Sequence, residues 1–233
     1  MNDAGDLVSR LSAVEAKISA ACERAKRTRK DVHLVGVSKL HPVEKIQTAI
    51  SAGLTEFGEN YVQEMLMKQG EVENRKIVWH FIGPLQTNKV KSLVGKAELI
   101  HSLDRESLGF EISKHAAKAG VVQECLIQVN IACEDTKSGC APNMTKPLLE
   151  KLSKMKGLRV RGLMVMPPLS ESVEGSRPHF QRTRELLIDL NGGRSESDRL
   201  VFLSMGTSQD FEVAIEEGAT HIRIGTTIFG GRG

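Results

Sequence analysis

The sequence predicts an α/β fold, a single (β/α)8 barrel, on three observations. Eight short apolar runs rich in β-branched residues alternate with helical stretches of about ten to fifteen residues, several of those runs are apolar on both faces, and the 233-residue length is close to the ~250 residues typical of such barrels. Parallel strands covered by helices need that two-sided apolar character. A doubly wound open sheet is the alternative for the same alternation. At roughly 150 residues per domain, the chain is expected to form one domain over residues 1–233.

The elements follow in order. Residues 5–27 place Leu7, Leu11, Val14, Ile18 and Ala21 at spacings of three and four, which predicts an opening amphipathic helix. The basic run at 24–30 complements the C-terminal end of that helix dipole. The expected strands are VHLVGV (32–37), TEFG (55–58), IVWHFIG (77–83), LIHSL (99–103), ECLIQVNI (124–131), VRGLMVM (160–166), LVFLSMG (200–206) and HIRIG (221–225). Between them, Pro42 opens a helix that Gly53 closes, Asp104 caps one that Gly120 ends, and Ser208 starts one that Gly218 stops. Seven connecting helices result. The sequence stops eight residues after the last expected strand, so the N-terminal helix is expected as the eighth member of the outer ring.

Composition excludes several classes. The formal charge is only +3, which supplies no general reason for a nucleic-acid or membrane partner. No apolar run approaches the ~18 residues of a membrane span, and the polar N-terminus lacks a secretory apolar core. A cytoplasmic protein is expected. Cys22, Cys125, Cys133 and Cys140 are too few and too irregularly spaced for a disulfide scaffold or paired metal site, and read as reduced thiols. His80, His101, His221 and Glu59 form no metal-ligand spacing. Buried hydrogen-bonded histidines, and no metal, are expected.

A barrel of this kind places its site at the C-terminal ends of its strands, often with a phosphate site after strands seven and eight. Those ends carry Ser38-Lys39, Gly58-Glu59-Asn60, Gly83-Pro84, Asn130, Met166-Pro167, Ser204 to Ser208 and Arg223 to Thr227. Glycine, hydroxyls and a helix start combine in SMGTS and again in IGTT, a chemistry suited to an anion. Either segment alone is also an ordinary capped turn; their joint occurrence after strands seven and eight favours the anion. Lys39 ends an apolar strand, where desolvation lowers an amine's pKa and makes it a nucleophile toward carbonyls. Together these features point to a phosphorylated aldehyde held as a Schiff base.

The strings VHLVGVSKLHP, FGENYVQE, WHFIGPLQTNK, QVNI followed by KSG, RGLMVMPP and LSMGTSQDFEVAIEEGATHIRIGTTIFGGR resemble the YggS/PROSC family of pyridoxal phosphate homeostasis proteins, from about residue 10 to the C-terminus. The resemblance implies a single barrel like the alanine racemase N-terminal domain (fold type III), with pyridoxal 5'-phosphate carried on Lys39. It further implies that Ser204, Gly206, Gly225 and Thr226 hold the phosphate, that Arg223 faces the pyridine nitrogen, and that Asn60 lies beside the ring. Ser208 is a further phosphate candidate. Thr207, Gln209 and Ala132-Cys133 depart from the family pattern; Thr207 could add a hydroxyl near the phosphate.

A guanidinium can only donate, so a ring nitrogen facing Arg223 stays unprotonated and is a weaker electron sink. The expected function is therefore cofactor homeostasis, buffering or delivery to PLP-dependent apo-enzymes, without catalytic residues and without robust turnover. A monomer is expected. The alternative is a low-activity racemase, for which Tyr61 is the one tyrosine able to supply a second proton-transfer group. A third reading is a barrel enzyme acting on another phosphorylated metabolite. Lys137, in TKSG, is either a transient second amine in exchange or a solvated loop lysine. The tail Gly230-Gly231-Arg232-Gly233 is either mobile or folded over the phosphate.

Overall fold

A computed structural model describes residues 3–72, 76–134, 136–168, 170 and 172–231. The first helix, α1 (Asp3–Arg24), buries Leu7, Leu11, Val14, Ile18 and Ala21, each large aliphatic one stabilising the fold by about 1.5–3 kcal/mol. It ends three residues before the expected boundary. Lys26 adopts φ +54° and the Arg27 N–H turns back to the Cys22 carbonyl at 2.9 Å, a left-handed closure that stops the helix.

Eight strands follow: β1 (His33–Val37), β2 (Glu56–Glu59), β3 (Val78–Phe81), β4 (Leu99–Leu103), β5 (Gln123–Val129), β6 (Leu158–Val165), β7 (Phe202–Ser204) and β8 (His221–Ile224). They pair in sequence order into a closed parallel barrel. Closure is made by β1 against β8, with His33 opposite His221 and Val35 opposite Arg223, so the open-sheet alternative is excluded. Strand β7 is much shorter than its apolar run (200–206), because Gly206 turns the chain away at φ +92°.

The helices are α2 (Val43–Ser51), α3 (Val62–Glu71), α4 (Val90–Leu93), α5 (Glu106–Ala119), α6 (Thr145–Leu152), α7 (Arg177–Leu190), α8 (Phe211–Glu216) and the short α9 (Thr226–Phe229). Helix α1 packs against α8, α2 and α9, held at its end by Arg24 on Glu216 at 2.7 Å and Glu212 at 3.0 Å. Pro42 is the N-cap of α2, and Gly120 closes α5 in the left-handed conformation. Two expected starts move. Helix α5 is capped by Arg105 rather than Asp104, because the Asp104 carboxylate instead pairs with the Arg105 guanidinium at 2.6 Å. Helix α8 begins at Phe211 rather than at Ser208, because the Asp210 carboxylate accepts the Thr207 N–H at 2.7 Å and makes the intervening residues a turn.

Strand periodicity sorts the side chains. Phe57, Trp79, Phe81, Ile100, Leu163, Leu203, Ile222 and Ile224 enter the continuous core between sheet and helices. The alternate positions fill the barrel interior, where Leu99, Leu126 and Met164 form a small apolar cluster beside a polar set: Glu56, His80, His101, Ser204, His221 and Arg223. No helix among the described residues is long and apolar enough to cross a membrane.

Candidate functional site

A cavity of about 500 Å³ lies at the C-terminal ends of the strands, within the size range of small-molecule sites. Val37, Ile82 and Met166 supply its apolar surface; Lys39, His41, Asn60, Thr207, Ser208, Gln209, Arg223, Gly225, Thr226 and Thr227 supply the rest. Lys39 and Arg223 are its lysine and arginine, and none of the lining residues is a carboxylate.

Lys39 is half-buried in the turn that follows β1. That turn is tied down from below. The ammonium of Lys68, 1% exposed, donates to the Ser38 carbonyl and to carboxylate oxygens of Glu59 and Glu64, each at 2.7 Å. The Ser38 hydroxyl donates to Glu59 at 2.6 Å, and the Leu40 N–H donates to Glu64 at 2.5 Å. Leu40 itself sits at φ +62°, a conformation costly for a non-glycine residue and held by these bonds. Burial raises the Glu59 carboxyl above its usual range against the opposing pull of Lys68 and Ser38. Lysine at position 68 follows Val62 and Met65 at intervals of three on the buried face of α3, a signal present in the sequence and overlooked there.

Arg223 enters from β8. Its guanidinium donates to the Ser204 hydroxyl at 2.5 Å and to the Val165 carbonyl at 3.0 Å, and complete burial pushes its pKa down to about 10. The rest of the network has a single consistent direction. Ser204 Oγ, which accepts from arginine, has its own hydrogen available for His101 Nδ1 at 2.9 Å. Burial holds His101 neutral, well below its ordinary pKa, so its proton is on Nε2 and is donated to His80 Nδ1 at 3.0 Å. His80 Nε2 then donates to Glu56 at 3.1 Å. Burial alone would raise the Glu56 carboxyl, but hydrogen bonds from His33 and His80 outweigh it and bring it to about 2. A hydrogen-bonded chain thus runs through the barrel from the cavity to its opposite end.

Asn60 follows β2, and its backbone crosses Gly83 so closely that a Cβ there would stand 2.2 Å from the Asn60 carbonyl oxygen. Its side-chain Oδ1 is buried without a hydrogen-bond partner. A buried polar atom without a partner costs about 1–3 kcal/mol.

Comparison with known proteins places this arrangement. Residues 10–233 match the family described as alanine racemase, N-terminal domain. A pyridoxal phosphate homeostasis protein of Aquifex aeolicus is 49% identical over 96% of this chain and 97% of its own. The chain belongs to this family. PipY of Synechococcus elongatus, solved with PLP bound, is 33% identical over 96% of this chain and 100% of its own, with a TM-score of 0.83. An alanine racemase of Clostridium difficile shares the fold alone, at 13% identity over 97% of this chain and 57% of its own, with a TM-score of 0.73.

Within this family member, the cavity gathers five of the seven residues expected from sequence: Lys39, Asn60, Arg223, Gly225 and Thr226. The other two do not line it. Ser204 is fully buried behind Arg223, its hydroxyl within hydrogen-bond distance of that residue and of His101. Gly206 is buried and absent from the lining; a Cβ there would stand 2.5 Å from the Ala214 Cβ, and its carbonyl accepts the Arg223 N–H at 3.0 Å. Ser208 does line the cavity, whereas the Thr207 hydroxyl donates its hydrogen to Asp210 at 3.1 Å. Tyr61 is 55% exposed and not part of the lining. Lys137 reaches the rim, 3.4 Å from the Met166 carbonyl and 3.3 Å from the Glu134 carboxylate. Cys133 is exposed at φ +57°. Of the tail, Arg232 and Gly233 lie outside the described residues. His41, buried and stacked on Phe229 at 5.3 Å, is a lining residue that sequence reasoning did not single out, although it stands two positions after Lys39.

Proposed function

We propose that this protein binds pyridoxal 5'-phosphate at the barrel mouth, holds it as a Schiff base on Lys39, and buffers or delivers it to PLP-dependent apo-enzymes without robust turnover. The observation that carries this reading is the cavity's charge: Lys39 and Arg223 face it and no lining residue is a carboxylate, a combination that selects an anionic ligand carrying an electrophile. The unpartnered Asn60 Oδ1 fits a ligand with polar groups. When bound, the cofactor supplies an aldehyde and an electron-withdrawing ring.

The chain's own residues do the holding. Ser208, Gly225, Thr226 and Thr227 surround the phosphate end with hydroxyls and the opening turn of α9, whose first N–H groups have no helical partner. Arg223 donates to the pyridine nitrogen. Because guanidinium has no lone pair to accept with, it leaves that nitrogen unprotonated and limits carbanion chemistry. The names of the curated relatives support homeostasis over catalysis. A cytoplasmic monomer is part of the same reading.

The test is the absorbance spectrum of the purified protein with added pyridoxal phosphate, followed by borohydride reduction and mass mapping. A pyridoxyl label on Lys39, absent in a folded Lys39→Ala variant, is the expected result. Label elsewhere, or a chromophore that survives Lys39→Ala, overturns it. The racemase alternative requires α-proton exchange of amino acids in deuterated water that is lost in Tyr61→Phe; the exposed position of Tyr61 argues against it.

A further inference from the structure

The end of the barrel opposite the cavity holds a second group of ligating side chains. His33 opens β1, Glu56 opens β2 and His221 opens β8, three adjacent strands whose stagger brings one ligand atom of each within 4.8 Å of the other two. No sequence spacing announces this group. Glu59 faces outward to Lys68; Glu56, three positions earlier, faces the barrel interior.

We propose that His33, Glu56 and His221 form a binding site for a divalent transition-metal ion of the zinc class, with two imidazole nitrogens, one carboxylate and an open fourth position. Two imidazoles with a single oxygen donor favour zinc, cobalt or nickel over magnesium or calcium, which require mostly oxygen ligands.

Two features support the assignment. The ligands are oriented by outer partners, as metal ligands generally are: the second Glu56 oxygen accepts from His80 at 3.1 Å, and His221 Nδ1 contacts the Thr220 hydroxyl at 2.9 Å, which leaves Nε2 for a metal. An entry path exists, because the His33 side chain is 43% exposed while His221 is buried. One rearrangement is required. The His33 and His221 rings stack at 4.5 Å and 11°, and a metal lies in the plane of each ring that binds it, so His33 must turn out of the stack. Its bond to Glu56 at 2.7 Å is exchanged for metal bonds to both groups.

The experiment uses the full chain, treated with chelator and without pyridoxal phosphate, so its outcome is independent of the function proposed above. Cobalt(II) alone is titrated while visible ligand-field absorption is followed, and zinc displacement gives its affinity. One equivalent bound, weakened about 10-fold or more in His33→Ala and in Glu56→Gln but unchanged in His115→Ala, is expected. His115 lies 3.6 Å from Glu111 on α5 and is the natural place for adventitious binding. Circular dichroism confirms that each variant is folded. No bound equivalent, or binding that persists in both site variants or disappears in His115→Ala, overturns the proposal.

Discussion

The Arg223 guanidinium donates to the Ser204 hydroxyl at 2.5 Å, and that hydroxyl is the link through which His101 meets the cavity. No carboxylate contacts Arg223 among the described residues. The Asp210 carboxylate acts on its charge from a distance, while its hydrogen bonds lead through Ser204 into the barrel. Ser204→Ala removes an acceptor from a buried guanidinium and a donor from a buried imidazole. A loss of about 1–3 kcal/mol in urea denaturation is expected, with cofactor affinity reduced even though Ser204 is outside the cavity lining. Unchanged cofactor affinity would show that Arg223 keeps its place without Ser204.

Lys68 and Glu59 form a fully buried ion pair beneath Lys39, 2.7 Å apart. Lys68→Met leaves the Glu59 carboxyl without its cation in a site that excludes water, held only by the Ser38 hydroxyl, at a cost of about 3–5 kcal/mol. Adding Glu59→Leu removes the stranded carboxyl, so the double variant is expected to recover a large part of that loss. A double-mutant cycle by chemical denaturation measures the coupling; simple additivity would contradict it.

Gly206 and Gly53 separate two effects of adding a methyl group. Both have positive φ, +92° and +98°. At Gly53 a Cβ meets nothing within 4 Å, whereas at Gly206 it stands 2.5 Å from Ala214. Gly53→Ala is therefore expected to cost about 1–2 kcal/mol from backbone conformation, and Gly206→Ala about 1–3 kcal/mol more from overpacking. Thermal denaturation of the two variants checks the order.

Acid should destabilise the protein before its carboxylates titrate. Burial lowers the pKa of His101 and His221 well below 6.5, so the unfolded chain binds protons there that the folded chain does not. Stability from these two groups is present above about pH 6.5 and is lost as the pH falls below it. His33 works the other way: its bond to Glu56 raises its pKa, a contribution present below 6.5 and lost as pH rises through the folded value. With His179 also lowered by burial, three depressed groups against one raised group give a denaturation midpoint that decreases from pH 7 to 5.5. In His101→Gln that decrease should be shallower.

Much of the site was legible because its residues follow strand ends. Lys39 stands two residues after β1, and Asn60 directly after β2; the threonines after β8 occupy the rim for the same reason. Ser204 and Gly206 fall outside the cavity lining because Ser204 is the last strand residue and points into the barrel, and Gly206 lies against Ala214. The helix starts at Ser208 and Asp104 were misplaced because side chains of Asp210 and Arg105 made local bonds that cap preference does not foresee.

What the sequence determined by itself was the barrel, since alternating two-sided apolar strands and amphipathic helices have few other ways to bury their surfaces, and the identity of most residues at its mouth. Only the tertiary structure decided which polar side chains would meet across the interior. His101 and Ser204 are 103 positions apart, Lys68 and the Ser38 carbonyl 30, Arg223 and the Val165 carbonyl 58. Periodicity assigns a side chain to a face of its own strand, but the partner it finds there depends on closure and stagger of the whole barrel, which no local pattern encodes.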